Sequence, residues 1–402
     1  MSATGGWPPH RTEVRPWRQA QRGGTREDRM LSQVAVAIPP LIAEQAALPA
    51  AAVLAVAEQA VNAIAHADSA AGVGSGALGR FMVRSESVAS SKIEHVEASG
   101  EDLARAIAGS RANASASARS MVAATAALQE LVLRAGRSGA IELADLLGAH
   151  RVLMRDDEHP LERRWAGRLR EEQNWIGGSD HSPRGAVHVP PPPELVVPLL
   201  DDLLIYANRD DVPAFVQAAI VHAQFESIHP FTDGNGRIGR ALLGAVLQRR
   251  GIMRNAVVPT ASGLFALRAD YFASLNAYRE GDLDPLIGVM ARAASAAATE
   301  AVESFRRLQQ LPEEWRSEIG GRGDAAAVQI LNQIFERPTL TSGDFSEIVT
   351  GTLATRYTAI DTLERHGIIR EVTGRKRDRI WVVSDVVDEL EDLDRRIQRR
   401  LA

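Results

Sequence analysis

A mostly α-helical fold is what this sequence predicts, and three observations carry the prediction. From Pro39 to about Leu311, apolar residues recur at helical spacing through one Ala-rich stretch after another. The pattern breaks once, between Ala166 and Pro193, where two short β-prone runs flank a polar turn. After Gly321 it changes to three short helices followed by two β-prone runs around a basic turn, the order of a winged helix-turn-helix.

Taken in order, residues 1–30 are rich in Gly, Pro and Arg and lack periodicity, so a disordered arm is expected there. Helices are expected at 40–68, 76–98, 101–113, 115–136 and 141–154. The interruption reads Asn174-Trp175-Ile176-Gly177-Gly178 and Ala186-Val187-His188-Val189, a hairpin signature that ends in four consecutive prolines. Helical spacing resumes at 194–208, 212–228, 237–250, 264–280 and 284–311. The C-terminal part places helices at Ala325 to Phe335, Ser342 to Val349 and Leu353 to His366. Strands at Ile368 to Val372 and Arg379 to Val383 then flank Thr373-Gly374-Arg375-Lys376-Arg377-Asp378. A last helix, Val386 to Leu401, carries dense charges of both signs, suited to a partner or to folding back. The boundaries that follow are an N-terminal helical region at 31–115, a central domain at 116–311 and a winged helix at 321–402. No repeat at a fixed period is present.

Bulk properties narrow the function. At 402 residues and 45% hydrophobic, the chain can pack two or three cores. A net charge of −5 argues against a globally nucleic-acid-like surface and leaves room for a local basic patch. With no cysteine, disulfides, thiolate zinc sites and cysteine nucleophiles are excluded. No apolar run reaches the ~18 residues of a membrane span. The N-terminus also lacks the apolar region of a secretory signal, so a cytoplasmic protein with no membrane partner is expected.

The chemistry concentrates in residues 229 to 240, His-Pro-Phe-Thr-Asp-Gly-Asn-Gly-Arg-Ile-Gly-Arg. The segment lies between two helical runs, so it should be a tight loop opening the second helix. Free backbone N–H groups and the positive end of the helix dipole converge there, which suits phosphate. His229 is a suitable general base for a hydroxyl nucleophile. Asp233 offers a hard oxygen ligand for a Mg²⁺ that also binds phosphates. Gly234, Asn235 and Gly236 allow close backbone approach, with the asparagine amide as a further donor, and Arg237 and Arg240 supply forked donors. Phe231 is read as the loop's core anchor. A lone Asp-Gly-Asn-Gly is more often a turn; base, metal ligand, glycine nest and two cations together satisfy the parts list of phosphoryl or nucleotidyl transfer. There is no Walker lysine.

These residues resemble the signature of Fic domains, His-x-Phe-x-(Asp/Glu)-Gly-Asn-Gly-Arg-x-x-Arg, at every defined position. Gly167-x-x-Arg170, Asn174 to Gly178 and the proline run are similar to the family's target-binding flap, and 27–100 to the region that often precedes a Fic domain. The resemblance implies a Fic-type helical core over 116–311 with a β-hairpin flap. It also implies transfer of AMP from ATP to a Ser, Thr or Tyr hydroxyl of a protein target, with this chain itself a candidate. On that reading His229 deprotonates the hydroxyl and Asp233 holds Mg²⁺ between the α- and β-phosphates. Asn235 and the backbone amides of Gly234, Gly236, Ile238 and Gly239 line the nucleotide, Arg237 holds the β-phosphate and Arg240 the γ-phosphate. Tyr271, Leu275 and Arg279 fall where the family places adenosine contacts. The flap would align the target by strand addition.

Ser90-Ser91-Lys92-Ile93-Glu94-His95 resembles the family's inhibitory helix, Ser/Thr-x-x-x-Glu-Gly/Asn, whose glutamate pairs with the second arginine of the loop, here Arg240. Ser90 and Glu94 lie one turn apart on that reading. Position 95 departs from the pattern, with histidine where the family has Gly or Asn. His222 is read as a core or rim residue, not a zinc ligand, and His181 and His188 as surface or flap residues. Three function classes stay open: an adenylyltransferase that the same loop could run in reverse as a de-adenylylating enzyme, a DNA-binding regulator acting through 353–379, and an interaction protein that senses nucleotide without turnover. In the second, Thr355, Arg356, Tyr357, Thr358 and the basic wing Arg375, Lys376, Arg377 and Arg379 would meet DNA. Monomer and homodimer are both open.

Overall fold

The structure is a computed structural model that describes residues 6–19, 23–72, 76–109, 114–155, 157, 160–319, 325–334, 337–374 and 378–402. It resolves into two compact units. The first holds Met1–Val61, Ala126–Ile252 and Leu267–Arg292, and the second Asn62–Thr125, Met253–Ala266 and Ala293–Ala402.

The chain opens with β1 (Arg11–Pro16), α1 (Arg26–Met30) and β2 (Gln33–Ile38), then enters α2 (Ala51–Ala71). Helix α2 starts eleven residues later than its periodicity predicts. Pro49 lacks an N–H and disfavours helical backbone before it, and the N–H of Ala50 finds the Asp284 carboxylate at 2.9 Å. Next come α3 (Gly76–Ile93), α4 (Gly100–Ile107), α5 (Ala116–Ser138), α6 (Leu143–Met154) and the single turn α7 (Pro160–Arg163). Helices α8 (Val196–Ala207), α9 (Ala214–Ile228) and α10 (Asn235–Arg249) follow. The helix expected at 264–280 is two, α11 (Thr260–Ala266) and α12 (Arg268–Arg279), because Leu267 leaves the helical conformation. Helix α13 (Asp284–Ile319) runs on through Pro312, since its buried stripe continues through Leu308 to Trp315. The C-terminal part contains α14 (Ala325–Ile334), β3 (Thr339–Thr341), α15 (Ser342–Ile348), α16 (Leu353–Arg365), β4 (Ile369–Glu371), β5 (Ile380–Val383) and α17 (Ser384–Leu401). No helix among the described residues is long and apolar enough to cross a membrane.

In the first unit α9 is the central helix: every residue from Phe215 to Ile228 is buried, and it packs on α8, α10 and α12. A helix buried on all sides must satisfy its own polar side chains. Gln217 donates to the carbonyls of Tyr206 and Arg209, and Gln224 donates to Pro40 while accepting from the Tyr278 hydroxyl. The His222 ring meets the Tyr271 hydroxyl at 2.8 Å.

The disordered arm is corrected. Strand β1 pairs antiparallel with β2 over its whole length, Arg11 opposite Ile38 and Pro16 opposite Gln33. Aromatic anchors supply the order that composition hides: Trp7 is buried against Tyr206 and Tyr278, and Trp17 meets Trp175 edge to face at 5.5 Å. Alternation in β2 puts Val34, Val36 and Ile38 on one face, where they pack with Val189. The hairpin expected at 174–189 is also looser than predicted, held by one antiparallel bridge, Ile176 to His188. Its return arm is extended by β2, whose Ala37 N–H donates to the Val189 carbonyl.

The second unit contains a three-stranded antiparallel sheet in the order β3-β5-β4, which α4, α15, α16 and α17 contact while α14 packs on α15 and α16. Buried Trp381 on β5 lies edge to face with Phe345 and donates its indole N–H to Glu364. Of the four basic residues expected to meet DNA from the 373–379 turn, Arg375, Lys376 and Arg377 lie outside the described residues. Arg379 is occupied by Glu371 at 2.6 Å and stacks on Trp381. Helix α17 folds back: Arg396 and Arg400 bind Glu300 of α13, and Ser304 donates to Glu389. Asp394 of α17 ties Lys92 of α3 to Ser262 of α11.

Helix α3 ends where the inhibitory pattern ends. His95 takes a left-handed conformation, φ 59°, while its N–H donates to Lys92 and that of Val96 to Ser91, a Schellman close. The Gly or Asn of the family pattern is what such a position favours on steric grounds, and histidine adopts the same turn at a cost. Ser90 is buried, and Glu94, one residue past the helix, is exposed. His95→Gly should raise stability by about 0.5–1 kcal/mol. Urea unfolding followed by circular dichroism checks this, and a lower midpoint would contradict the assigned turn.

Candidate active site

The loop between α9 and α10 is built around its carbonyl groups. Arg170, buried at 2% exposure, donates Nε to His229 O at 2.8 Å and a terminal nitrogen to Ile228 O at 3.3 Å. Its other donors reach the carbonyls of Glu172 and Pro191, and its own N–H takes Pro230 O at 2.9 Å. Asn174 donates to Phe231 O at 2.9 Å. The four consecutive carbonyls that leave α9, Ile228 to Phe231, are therefore all held by the segment 170–174. Burial lowers the Arg170 pKa from 12.5 to about 10, so it remains a cation at neutral pH, placed where a helix C-terminus favours one.

That clamp forces a turn that His229 would not choose alone. His229 caps α9 at φ 49° and ψ 61°, a left-handed conformation costing roughly 1–2 kcal/mol for an L-residue. The turn swings the imidazole out of the helix, where its Nδ1 lies 3.8 Å from the buried Glu226 carboxylate. Across the loop, Phe231 is buried against the His150 ring, stacked at 3.8 Å and 6°. His150 Nδ1 accepts from Gly167 N–H, so Nε2 carries the proton and donates to Asp233 O at 3.1 Å. Burial lowers its pKa to about 4, which keeps the ring neutral and this tautomer in place.

The second half of the loop turns on Gly234, φ 77°, where a Cβ would come within 2.7 Å of Leu153. The Asn235 side chain accepts from Phe231 N–H and donates one of its two amide N–H groups to Phe231 O, both at 2.8 Å, so it clasps the loop. The first turn of α10, at Asn235 and Gly236, points N–H groups away from the helix with no carbonyl a turn earlier to receive them. Arg237 reaches Asp233 at 3.3 Å and Arg240 is buried one turn on. Asp233 is 54% exposed. One of its oxygens takes Gly234 N–H, and the remaining lone pairs fit a cation that shares its coordination with phosphates. Among the described residues there is no cluster of three or more metal-competent side chains.

Four of the expected nucleotide residues are packed into the fold. Ile238 is a core residue, and Gly239 lets α10 close on α9, since a Cβ there would meet Glu226 at 2.5 Å and Phe225 at 3.1 Å. Tyr271 is buried with its hydroxyl on His222, and Leu275 packs beside it, so neither offers the open surface an adenine needs. Arg279 donates to Asn276, and burial lowers its pKa to about 10. His222 is a core residue as expected, and flap residue His188 is buried with Nε2 on Ser227 O. Ser90 and Glu94 belong to the second unit and the loop to the first. The sequence reading missed His150, whose partner is 83 residues away, and Glu226, which helical spacing before His229 signals directly.

Comparison with known proteins places this geometry. Residues 140–247 match the Fic/DOC family. The chain is 35% identical over 159 residues to a protein adenylyltransferase Fic of Nematostella vectensis, covering 39% of this chain and 33% of that protein. It is 32% identical over 139 residues to a probable protein adenylyltransferase of Aquifex aeolicus, covering 34% and 41%. The chain thus spans well under half the length of these relatives. In fold it is similar to a Fic family protein from Desulfovibrio desulfuricans, with a TM-score of 0.51 and 21% identity over 84% of this chain and 97% of that one.

Because His150 is neutral in the fold and binds a proton readily when unfolded, its contribution is present above pH 6.5 and is lost as pH falls toward 4. The full span is worth roughly 3 kcal/mol. Thermal melts across this window should show falling stability, and His150→Gln should flatten the slope. An unchanged slope in the variant would remove His150 as the cause.

Proposed function

We propose that this chain, whose residues 140–247 match the Fic/DOC family, moves AMP from ATP onto a Ser, Thr or Tyr hydroxyl of a protein, itself among the targets. One observation carries the reading: a base and an amide-rich helix start occupy opposite ends of one six-residue turn, each held by buried partners. His229 takes the proton of the incoming hydroxyl as that oxygen bonds to the α-phosphorus. The bond from the α-phosphorus to the bridging oxygen breaks, and pyrophosphate leaves. Backbone N–H groups at Asn235 and Gly236 steady the α-phosphate, Arg237 the β-phosphate and Arg240 the γ-phosphate. Asp233 would hold Mg²⁺, which when bound offsets charge on the leaving pyrophosphate. Glu226, beside Nδ1, keeps the imidazole oriented with Nε2 toward substrate.

Target alignment falls to the 174–189 flap, where Val187 is 67% exposed and the outer arm is available to an extended segment. Glu94 is the proposed inhibitor, pairing with Arg240 in place of the γ-phosphate. The same glutamate could position water for removal of AMP from a modified target. The C-terminal module is read as a winged helix, and with Arg379 committed to Glu371 its basic face is reduced, which favours the enzyme reading over a DNA-binding one.

Glu94→Gly should raise automodification from ATP at least fivefold, read as AMP incorporation by intact mass. In that background His229→Ala should lower incorporation by at least about two orders of magnitude, the scale of a lost general base. No rise in the first variant would remove the inhibitory role, and persistent incorporation in the second would remove His229 as the base.

A further inference from the structure

Within the second unit, α3 lines a cavity of about 230 Å³ whose wall, among the described residues, holds three arginines and no carboxylate. Arg80 and Arg84 come from α3, with Phe81 between them, and Arg337 comes from the entry to β3. Leu308 of α13 and Val386 of α17 supply much of the apolar remainder. Arg337 is neutralised in part by Asp344 and Glu347 outside the cavity. Arg84 is not: its guanidinium makes no hydrogen bond or ion pair among the described residues, and its neighbour of note is another cation, Arg80. Burial and that neighbour together lower its pKa from 12.5 to about 10, so it stays charged at neutral pH.

A half-buried cation that faces an apolar cavity wall without an anion is costly. Here the missing partner has room. The volume is below that of most drug-sized pockets, so the occupant is small, and the apolar wall asks for a hydrocarbon or aromatic body beside one anionic head. We infer that this cavity is a binding site for a small amphipathic anion, a carboxylate or phosphate monoester on an apolar ring, whose head pairs with Arg84 and whose body packs on Phe81, Leu308 and Val386. Such a ligand would brace α3 against α13 and α17. Because α3 carries Ser90 and ends just before Glu94, the ligand would act on the proposed inhibitory helix; that consequence rests on the proposed function, whereas binding itself does not.

The test is calorimetric titration of the full chain with 2-naphthoate, and with 2-naphthylmethanol as the neutral body of the same shape. The expected result is saturable one-site binding of the acid, at least tenfold tighter than the alcohol. Arg84→Met, which keeps an apolar stem and removes the charge, should weaken the acid at least tenfold and leave the alcohol unchanged. No binding of the acid at millimolar concentration, equal binding of acid and alcohol, or equal affinity in wild type and Arg84→Met would each overturn the site. The acid against alcohol comparison on the wild-type chain holds even where a variant folds poorly, and all readings are independent of whether AMP transfer occurs.

Discussion

Everything at the α9–α10 loop depends on one buried guanidinium. Arg170 and its neighbour Asn174 collect the carbonyls of Ile228, His229, Pro230 and Phe231, groups that a helix end would otherwise turn to water. Each hydrogen bond is worth about 1 kcal/mol net, and more with a charged donor, so together they outweigh the left-handed turn at His229. With the carbonyls held on one side, the base leaves the core and the chain can restart as α10 with its first N–H groups facing outward. Position of the proposed base and position of the proposed phosphate nest are thus two results of one clamp.

Other buried groups refine what the clamp sets. His150 holds Asp233 through its carbonyl and leaves the carboxylate outward, where a cation and phosphates can share it. Asn235 closes the loop on Phe231. Glu226 faces the imidazole from the helix below. On the proposed function none of these need touch substrate, yet a shift in any of them would misplace a reacting group, and small misplacements are expensive in rate. The N-terminal hairpin extends the same logic to the flap, because β2 and Trp17 support Val189 and Trp175 from behind.

Helical periodicity made most of the fold legible, and the glycine-rich break between the apolar run of α9 and that of α10 marked the loop. The twelve-residue loop was legible for a different reason: each residue type in it has a narrow set of uses, and the uses agree. Long-range pairing was not legible. Strand β1 has little apolar content and is ordered by β2 and by Trp7, whose partners Tyr206 and Tyr278 lie about two hundred residues or more away. His150 gave no local signal because its meaning comes from Phe231 and Asp233. Asn235, Gly239 and Tyr271 show the converse, residues whose motif positions suggest ligand contacts and whose side chains or close packing serve the scaffold.

The central claim is that this loop directs attack at the α-phosphorus of ATP. The most direct measurement incubates the Glu94→Gly chain with Mg²⁺ and ATP labelled at either the α- or the γ-phosphorus, and follows label on protein. Transfer from the α-position alone, with pyrophosphate released, is the predicted result. Label arriving from the γ-position, or from neither while ATP is bound, would contradict it.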